Sequence, residues 1–123
     1  DILKYGEHCK KPGLSLLTGP GNDIVSVTNL TAAGANIILF TTGRGTPLGA
    51  PVPTVKISSN SSLYKRKSNW IDFNAGALVQ GEPMQELLNK FIEKIISVAS
   101  GEQTRNELND YREISIFKNG VTL

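Results

Sequence analysis

Only one cysteine, one histidine, one methionine and one tryptophan occur in the 123 residues, and the first two scarcities each exclude something. Cys9 has no partner for an internal disulfide, which fits a reducing compartment, the cytoplasm. His8 and Cys9 are adjacent, but there is no second His or Cys in the chain. A zinc site made from this chain alone is therefore not expected, since such metals take three or four N, S or O ligands. Long apolar runs are also missing. The strongest, Ala35 to Phe40, contains Asn36 and falls far short of a bilayer span. No signal peptide is expected, and the opening on Asp1 rather than methionine suggests a piece cut from a longer protein. Charge of one sign is scarce as well, with a formal net charge of +2. The only basic runs are Lys10-Lys11 and Lys65-Arg66-Lys67. No aromatic ladder accompanies them, so they read as solvated surface and not as a nucleic-acid footprint. Neither nucleic acid nor membrane is an expected partner.

A hydrophobic share of 39% is enough for one core, and the length suits one compact domain over residues 1–123. Leu14-Ser15-Leu16-Leu17 has the composition of a short strand, closed by the turn-forming Gly19-Pro20-Gly21-Asn22. Asp23 is the expected N-cap of a helix over Ile24 to Ala33, with Gly34 at its C-cap. Asn36 to Phe40 is nearly all apolar, as in a strand covered on both faces. A loop from Thr41 to Pro53 follows, in which Pro47, Pro51 and Pro53 oppose any helix. Thr54 to Ser58 alternates like a strand, and Asn60 or Ser61 is placed to cap a short helix through Leu63 and Tyr64. Trp70 to Phe73 reads as a third strand ending in Asn74-Ala75-Gly76.

The clearest element is a helix. Met84, Leu87, Leu88, Phe91, Ile92, Ile95, Ile96 and Ala99 recur at i, i+3, i+4, with Pro83 at the first helical position and Gly101 at the C-cap. At about 1.5 Å per residue it should be about 25 Å long, with its apolar stripe across the sheet. Thr104 and Glu107 have capping-box spacing, and Glu113 to Phe117 alternates as a last strand, with Gly120 in a terminal turn. Strands alternating with helices predict an α/β fold: a small layered domain with a mostly parallel sheet flanked by helices, Rossmann-like in arrangement but without a dinucleotide motif.

The stretch with most chemical content is Thr41-Thr42-Gly43-Arg44-Gly45-Thr46-Pro47-Leu48-Gly49, directly after the apolar strand. Glycines let backbone N–H groups converge on an anion, Arg44 adds a fork of donors matched to a carboxylate or phosphate, and Thr42 and Thr46 add hydroxyls. Ligands of open α/β sheets sit beyond the carboxyl ends of the strands, which is where this loop falls. The plainer alternative is a tight turn in which Arg44 pairs with a neighbouring carboxylate. The stretch lacks G-x-G-x-x-G spacing and a G-K-[ST] ending, which argues against dinucleotide or P-loop binding. Asn60 and Asn74 also fall at predicted strand ends and could read the hydroxyls of a polyol, and Asp72 could serve as a hydroxyl acceptor, metal ligand or base. For each of these three, a turn or cap is the competing role. Lys56, inside a predicted strand, reads as an outward-facing solvated lysine. Glu107 and Glu113 read as a cap and a strand-edge charge.

Taken in order, the motifs form a pattern. Lys-Pro-Gly-Leu occupies 11–14, Gly-Asn-Asp-Ile 21–24, Thr-Ala-Ala-Gly 31–34, and Phe-Thr-Thr-Gly-Arg-Gly-Thr-Pro-Leu-Gly 40–49. Val-Lys-Ile-Ser-Ser-Asn lies at 55–60, Asp-Phe-Asn-Ala-Gly at 72–76, Val-Ala-Ser-Gly-Glu at 98–102 and Phe-Lys-Asn-Gly-Val-Thr-Leu at 117–123. Over nearly its whole length the chain resembles the C-terminal part of the altronate dehydratase / galactarate dehydratase family. The resemblance implies a hydro-lyase that removes water across C2–C3 of a sugar acid to give a 2-keto-3-deoxy acid. It also implies a divalent metal, typically iron, and an N-terminal region absent here. This chain lacks convincing metal ligands and a convincing base. The expected division therefore leaves metal and proton transfer to those absent domains, and this domain alone should be inactive. Substrate binding here falls to Thr42, Gly43, Arg44, Gly45, Thr46, Asn60, Asp72 and Asn74. Two other roles stay open: a non-catalytic structural or homo-oligomerisation domain of such an enzyme, and a related lyase domain acting on a sulfonated acid.

Overall fold

A computed structural model describes residues 1–116. Two short parallel strands, β1 (Ile2–Leu3) and β2 (Leu16–Leu17), form one small sheet. Helix α1 (Asp23–Ala32) leads to β3 (Ile38–Thr42), and the proline-containing loop returns the chain to β4 (Thr54–Ser58). Helix α2 (Ser61–Arg66), strand β5 (Phe73–Asn74) and a 3₁₀ helix (Ala75–Gln80) follow, then α3 (Met84–Ala99) and α4 (Arg105–Leu108). β3, β4 and β5 make a parallel sheet in that order, so β4 is its central strand. The architecture is the layered, parallel α/β arrangement expected.

Strand register sorts the core into two layers. Ile38 pairs with Thr54 and Phe40 with Lys56, so these side chains share one face of the sheet. That face carries a core of Val27 from α1 with Ile38, Leu48 and Ala50, against which Phe40 and Val52 pack. The opposite face carries Val55 and Ile57 with Val98 and Phe91 of α3, and the rings of Phe73 and Phe91 stand 5.0 Å apart. α3 thus covers β4 and β5 but leaves much of β3 open.

Several local expectations change for this reason. β3 is not covered on both faces: Leu39 is 46% exposed, because the helix crosses the neighbouring strands. β4 is buried along its whole length, polar residues included. The third strand is Phe73–Asn74 only, with Trp70 in the preceding turn. Asn22, not Asp23, caps α1, its side chain accepting the Val25 N–H. Gly34 and Gly101 follow the cap residues Ala33 and Ser100, with φ of 107° and 108°, where only glycine is unstrained. Pro83 stands just ahead of α3 as its cap residue. The capping box of α4 forms as expected: Thr104 Oγ1 accepts the Glu107 N–H, and Glu107 Oε2 accepts the Thr104 N–H at 2.8 Å. No strand forms over residues 113–116. Phe117, Gly120 and the motif at 117–123 lie outside the described residues.

Gly76, at the start of the 3₁₀ helix, fixes how closely the ends of β4 and β5 approach. A methyl group there would lie 2.4 Å from Asn60 Cα and 2.5 Å from Ser61 N, both backbone atoms that cannot swing away. Gly76→Ala should therefore destabilise the protein by about 2 kcal/mol, the scale of a forced overpacking. Urea denaturation measures this, and an unchanged midpoint would contradict the close packing.

Candidate functional site

Because the three strands run parallel and in register, their carboxyl ends, Thr42, Ser58 and Asn74, lie side by side. The polar segments that follow them interlock. Asn60 Nδ2 donates to the Gly43 carbonyl at 3.0 Å, while its Oδ1 accepts the Leu63 N–H at 2.8 Å and caps α2. Asn74 Nδ2 donates to Ser61 Oγ at 2.9 Å. Thr42 Oγ1 accepts the Gly45 N–H at 2.9 Å, and Thr46 Oγ1 accepts that of Leu48 at 3.3 Å. Gly45 has φ of 82°, and a methyl group on it would lie 2.9 Å from Leu63 Cδ1, so this turn takes glycine on both counts. Thr42, Gly43, Gly45, Asn60 and Asn74 are therefore gathered along one edge, although Asn60 and Asn74 also serve as caps and cross-ties.

Arg44 is exposed, and its side chain makes no hydrogen bond or ion pair with the described residues. Nor do the N–H groups of Gly43, Arg44 and Thr46 donate to any described group. The turn thus keeps an unpaired guanidinium and three unpaired N–H donors, the elements of an anion site. A turn sealed by an Arg44–carboxylate pair is not found among the described residues.

Asp72 is bonded to other elements. Its Oδ2 accepts the Lys56 N–H and its Oδ1 the Arg105 N–H, both at 2.8 Å, so it joins β4 to the start of α4. Burial raises its pKa, while these two hydrogen bonds and the nearby cations Lys94 and Arg105 pull the other way. Among the described residues, no three His, Cys, Asp or Glu side chains gather to hold one metal ion. Both Asp72 oxygens are engaged, and His8 and Cys9 lie beside Gly34 and Ala33, ahead of β3 and away from its carboxyl end. This donor set does not fit the metal that the resemblance implies.

Sequence reasoning placed two lysines wrongly. Lys56 is not solvated but fully buried, because the loop after β3 and helix α4 close over the polar face of β4. Its ammonium donates to the Thr46 carbonyl and, at 3.4 Å, to Asn106 Oδ1, and stands 5.8 Å from the centre of the Phe40 ring. Glu113 is not a strand-edge charge either: its Oε2 accepts the Gly49 N–H at 2.8 Å and its own N–H donates to the Gly49 carbonyl. Lys56 and Glu113 together pin the loop from beneath. The second misplaced lysine is Lys67, from the basic run taken as solvated surface. It is half-buried, with Nζ 4.4 Å from the Trp70 ring centre and 3.5 Å from where a Gly45 Cβ would sit. A signal for it existed: Asn60, Leu63 and Lys67 have the i, i+3, i+7 spacing of one helix face.

Comparison with known proteins places the chain in a family. The family described as D-galactarate/Altronate dehydratase, C-terminal, matches residues 1–122, and the chain belongs to that family. It is 56% identical over 123 residues to the altronate dehydratase of Escherichia coli (strain K12), covering all of this chain and 25% of that protein. It is 54% identical over 124 residues to the altronate dehydratase of Bacillus subtilis (strain 168), again covering 100% of this chain and 25% of the relative. With the galactarate dehydratase (L-threo-forming) of E. coli it shares 36% identity over 105 residues, 84% of this chain and 20% of the relative. The chain thus spans about a quarter of the length of these relatives.

Burial lowers the Lys56 pKa from 10.5 to about 8, against the raising effects of Asp72, Glu113 and Asp23. The folded protein therefore holds fewer protons than the unfolded chain between about pH 8 and 10.5, and this lysine's contribution to stability rises with pH across that window. Lys56→Met removes the effect. From pH 7 to pH 10 the stability of the unaltered protein should gain about 2 kcal/mol relative to the variant in paired urea titrations. A parallel pH dependence would mean that Lys56 titrates normally.

Proposed function

We propose that this chain is the substrate-holding part of a sugar-acid hydro-lyase, acting on an acid of the D-altronate or galactarate type to give a 2-keto-3-deoxy acid. One observation carries the reading: Arg44 and the N–H groups of Gly43, Arg44 and Thr46 lack partners among the described residues at the carboxyl end of a parallel sheet. In this reading Arg44 and those N–H groups hold the substrate carboxylate, with Thr42, Gly45 and Thr46 shaping the turn. Asn60 and Asn74 meet hydroxyls with their remaining hydrogen-bonding capacity. Asp72 keeps lone pairs beyond its two backbone contacts and stands as a more distant hydroxyl acceptor.

Loss of water across C2–C3 begins with a weakly acidic proton beside the carboxylate, and negative charge grows on the carboxylate oxygens as it leaves. A fixed cation there is worth more in the transition state than in the bound substrate. Proton transfer, and the divalent metal implied by the resemblance to the family, are assigned to parts of the protein outside this chain. A cytoplasmic location accords with the single cysteine. Among the described residues no helix is long and apolar enough to cross a membrane. A sulfonated acid would present a similar anion to the loop, and comparing substrates separates the two.

A second role rests on a separate observation. Along α3, Leu88, Ile92 and Ile96 are 42%, 45% and 59% exposed and form an apolar face that no described element fully covers, and Leu39 of β3 is 46% exposed. Such a face favours burial against the remaining three quarters of the polypeptide or a second copy. This assembly role can accompany substrate binding.

In the full-length protein, Arg44→Ala should lower kcat/KM for D-altronate by about a hundredfold or more, the scale of losing a charged bidentate contact. Formation of the 2-keto acid is the readout. Near-normal kinetics would remove Arg44 from the site.

A further inference from the structure

We infer that Lys67 is a second cationic ligand for the substrate carboxylate at the Thr42–Thr46 turn, held in place by the face of Trp70. This rests on the anion-binding reading of the turn and adds to it a residue outside the glycine-rich motif.

The position follows from how α2 is built. Asn60 caps the helix and ties it to Gly43, so the helix starts against the turn. Leu63 and Lys67 lie one turn apart on the same side, and both touch Gly45: from a Cβ placed there, Leu63 Cδ1 would be 2.9 Å away and Lys67 Cδ 3.0 Å. Gly45 lacks that carbon, so the lysine stem can lie along the turn. Lys67 closes α2 as its C-cap residue, and its carbonyl accepts the Trp70 N–H at 2.9 Å, which brings the indole back beneath its own ammonium at 4.4 Å. A cation over an aromatic face is restrained yet remains a hydrogen-bond donor. Lys67 forms no ion pair with the described residues.

The ammonium, the unpaired N–H groups and Arg44 therefore belong to the same short stretch of surface, with no carboxylate among the described residues paired to either cation. A carboxylate has two oxygens and about four lone-pair directions. A guanidinium fork and a point-like ammonium can occupy different sides of it. Because charge accumulates on those oxygens as the adjacent proton leaves, the second cation acts on turnover as well as on binding.

The test uses full-length protein and D-altronate, with Lys67→Met, Lys67→Arg, Trp70→Leu and, as a charge-matched control on the exposed side of the same run, Lys65→Met. Lys67→Met should lower kcat/KM by about tenfold or more through both kcat and KM, the scale of one charge-assisted hydrogen bond. Lys67→Arg should recover most of the loss, Trp70→Leu should raise KM, and Lys65→Met should change nothing. Thermal melts identify any variant that does not fold; should Lys67→Met fail there, Lys67→Gln and Trp70→Leu carry the comparison. A folded Lys67→Met protein with the kinetics of Lys65→Met overturns the inference. Loss on Arg44→Ala without loss on Lys67→Met removes Lys67 alone. Loss on Lys67→Met without loss on Arg44→Ala removes Arg44 and keeps the lysine.

Discussion

Asp72 connects the middle of the sheet to everything that closes over it. One carboxylate oxygen accepts the Lys56 N–H of the central strand, and the other accepts the Arg105 N–H at the first residue of α4. A short helix leaves its first N–H groups without intrahelical partners, and here the half-buried Asp72 carboxylate and the Thr104–Glu107 box supply them. With α4 fixed, Asn106 reaches both the Lys56 ammonium and the Thr54 carbonyl, and Lys56 reaches the Thr46 carbonyl in the glycine-rich turn. The shape of the turn is thus tied, through a short chain of polar contacts, to a residue whose own hydrogen bonds go to Lys56 and Arg105.

This wiring has an electrostatic consequence. Among the described residues the buried ammonium of Lys56 has no carboxylate in direct contact; carbonyl, amide and ring stand around it instead. In low dielectric its positive charge is poorly screened, and it lies directly under a turn whose outer side carries Arg44. The cost of burying such a charge appears as its lowered pKa. A positive potential at the turn is what an anionic sugar acid requires, so a feature that weakens the fold serves the proposed site.

The apolar surface follows a different logic. α3 has a stripe wider than the part of the sheet beneath it, and β3 lies beyond the helix's reach. A segment one quarter the length of its relatives need not close its own core completely, because the rest of such a polypeptide can share it. The same helix then has two duties, packing on β4 and β5 with Leu87, Phe91 and Val98, and presenting Leu88, Ile92 and Ile96 outward.

What residues 1–116 disclosed without a structure was local. The extent of α3, the capping box at Thr104, the short helix begun at Asn60 and the parallel α/β class all depend on spacing and cap chemistry, which operate within a few residues. The glycine-rich turn at a strand's carboxyl end was legible for the same reason. Burial was not. Thr54, Lys56 and Ser58 alternate as a solvated face would, and only a distant loop and α4 closing over them turn that face inward. Lys67 reads as one member of a basic run until α2 is laid against Gly45. Nothing near Asp72 in the sequence announces that Lys56 and Arg105, 16 and 33 residues away, each donate a backbone N–H to its oxygens. Periodicity records which residues share a face; which faces meet is settled by packing between segments far apart in the chain.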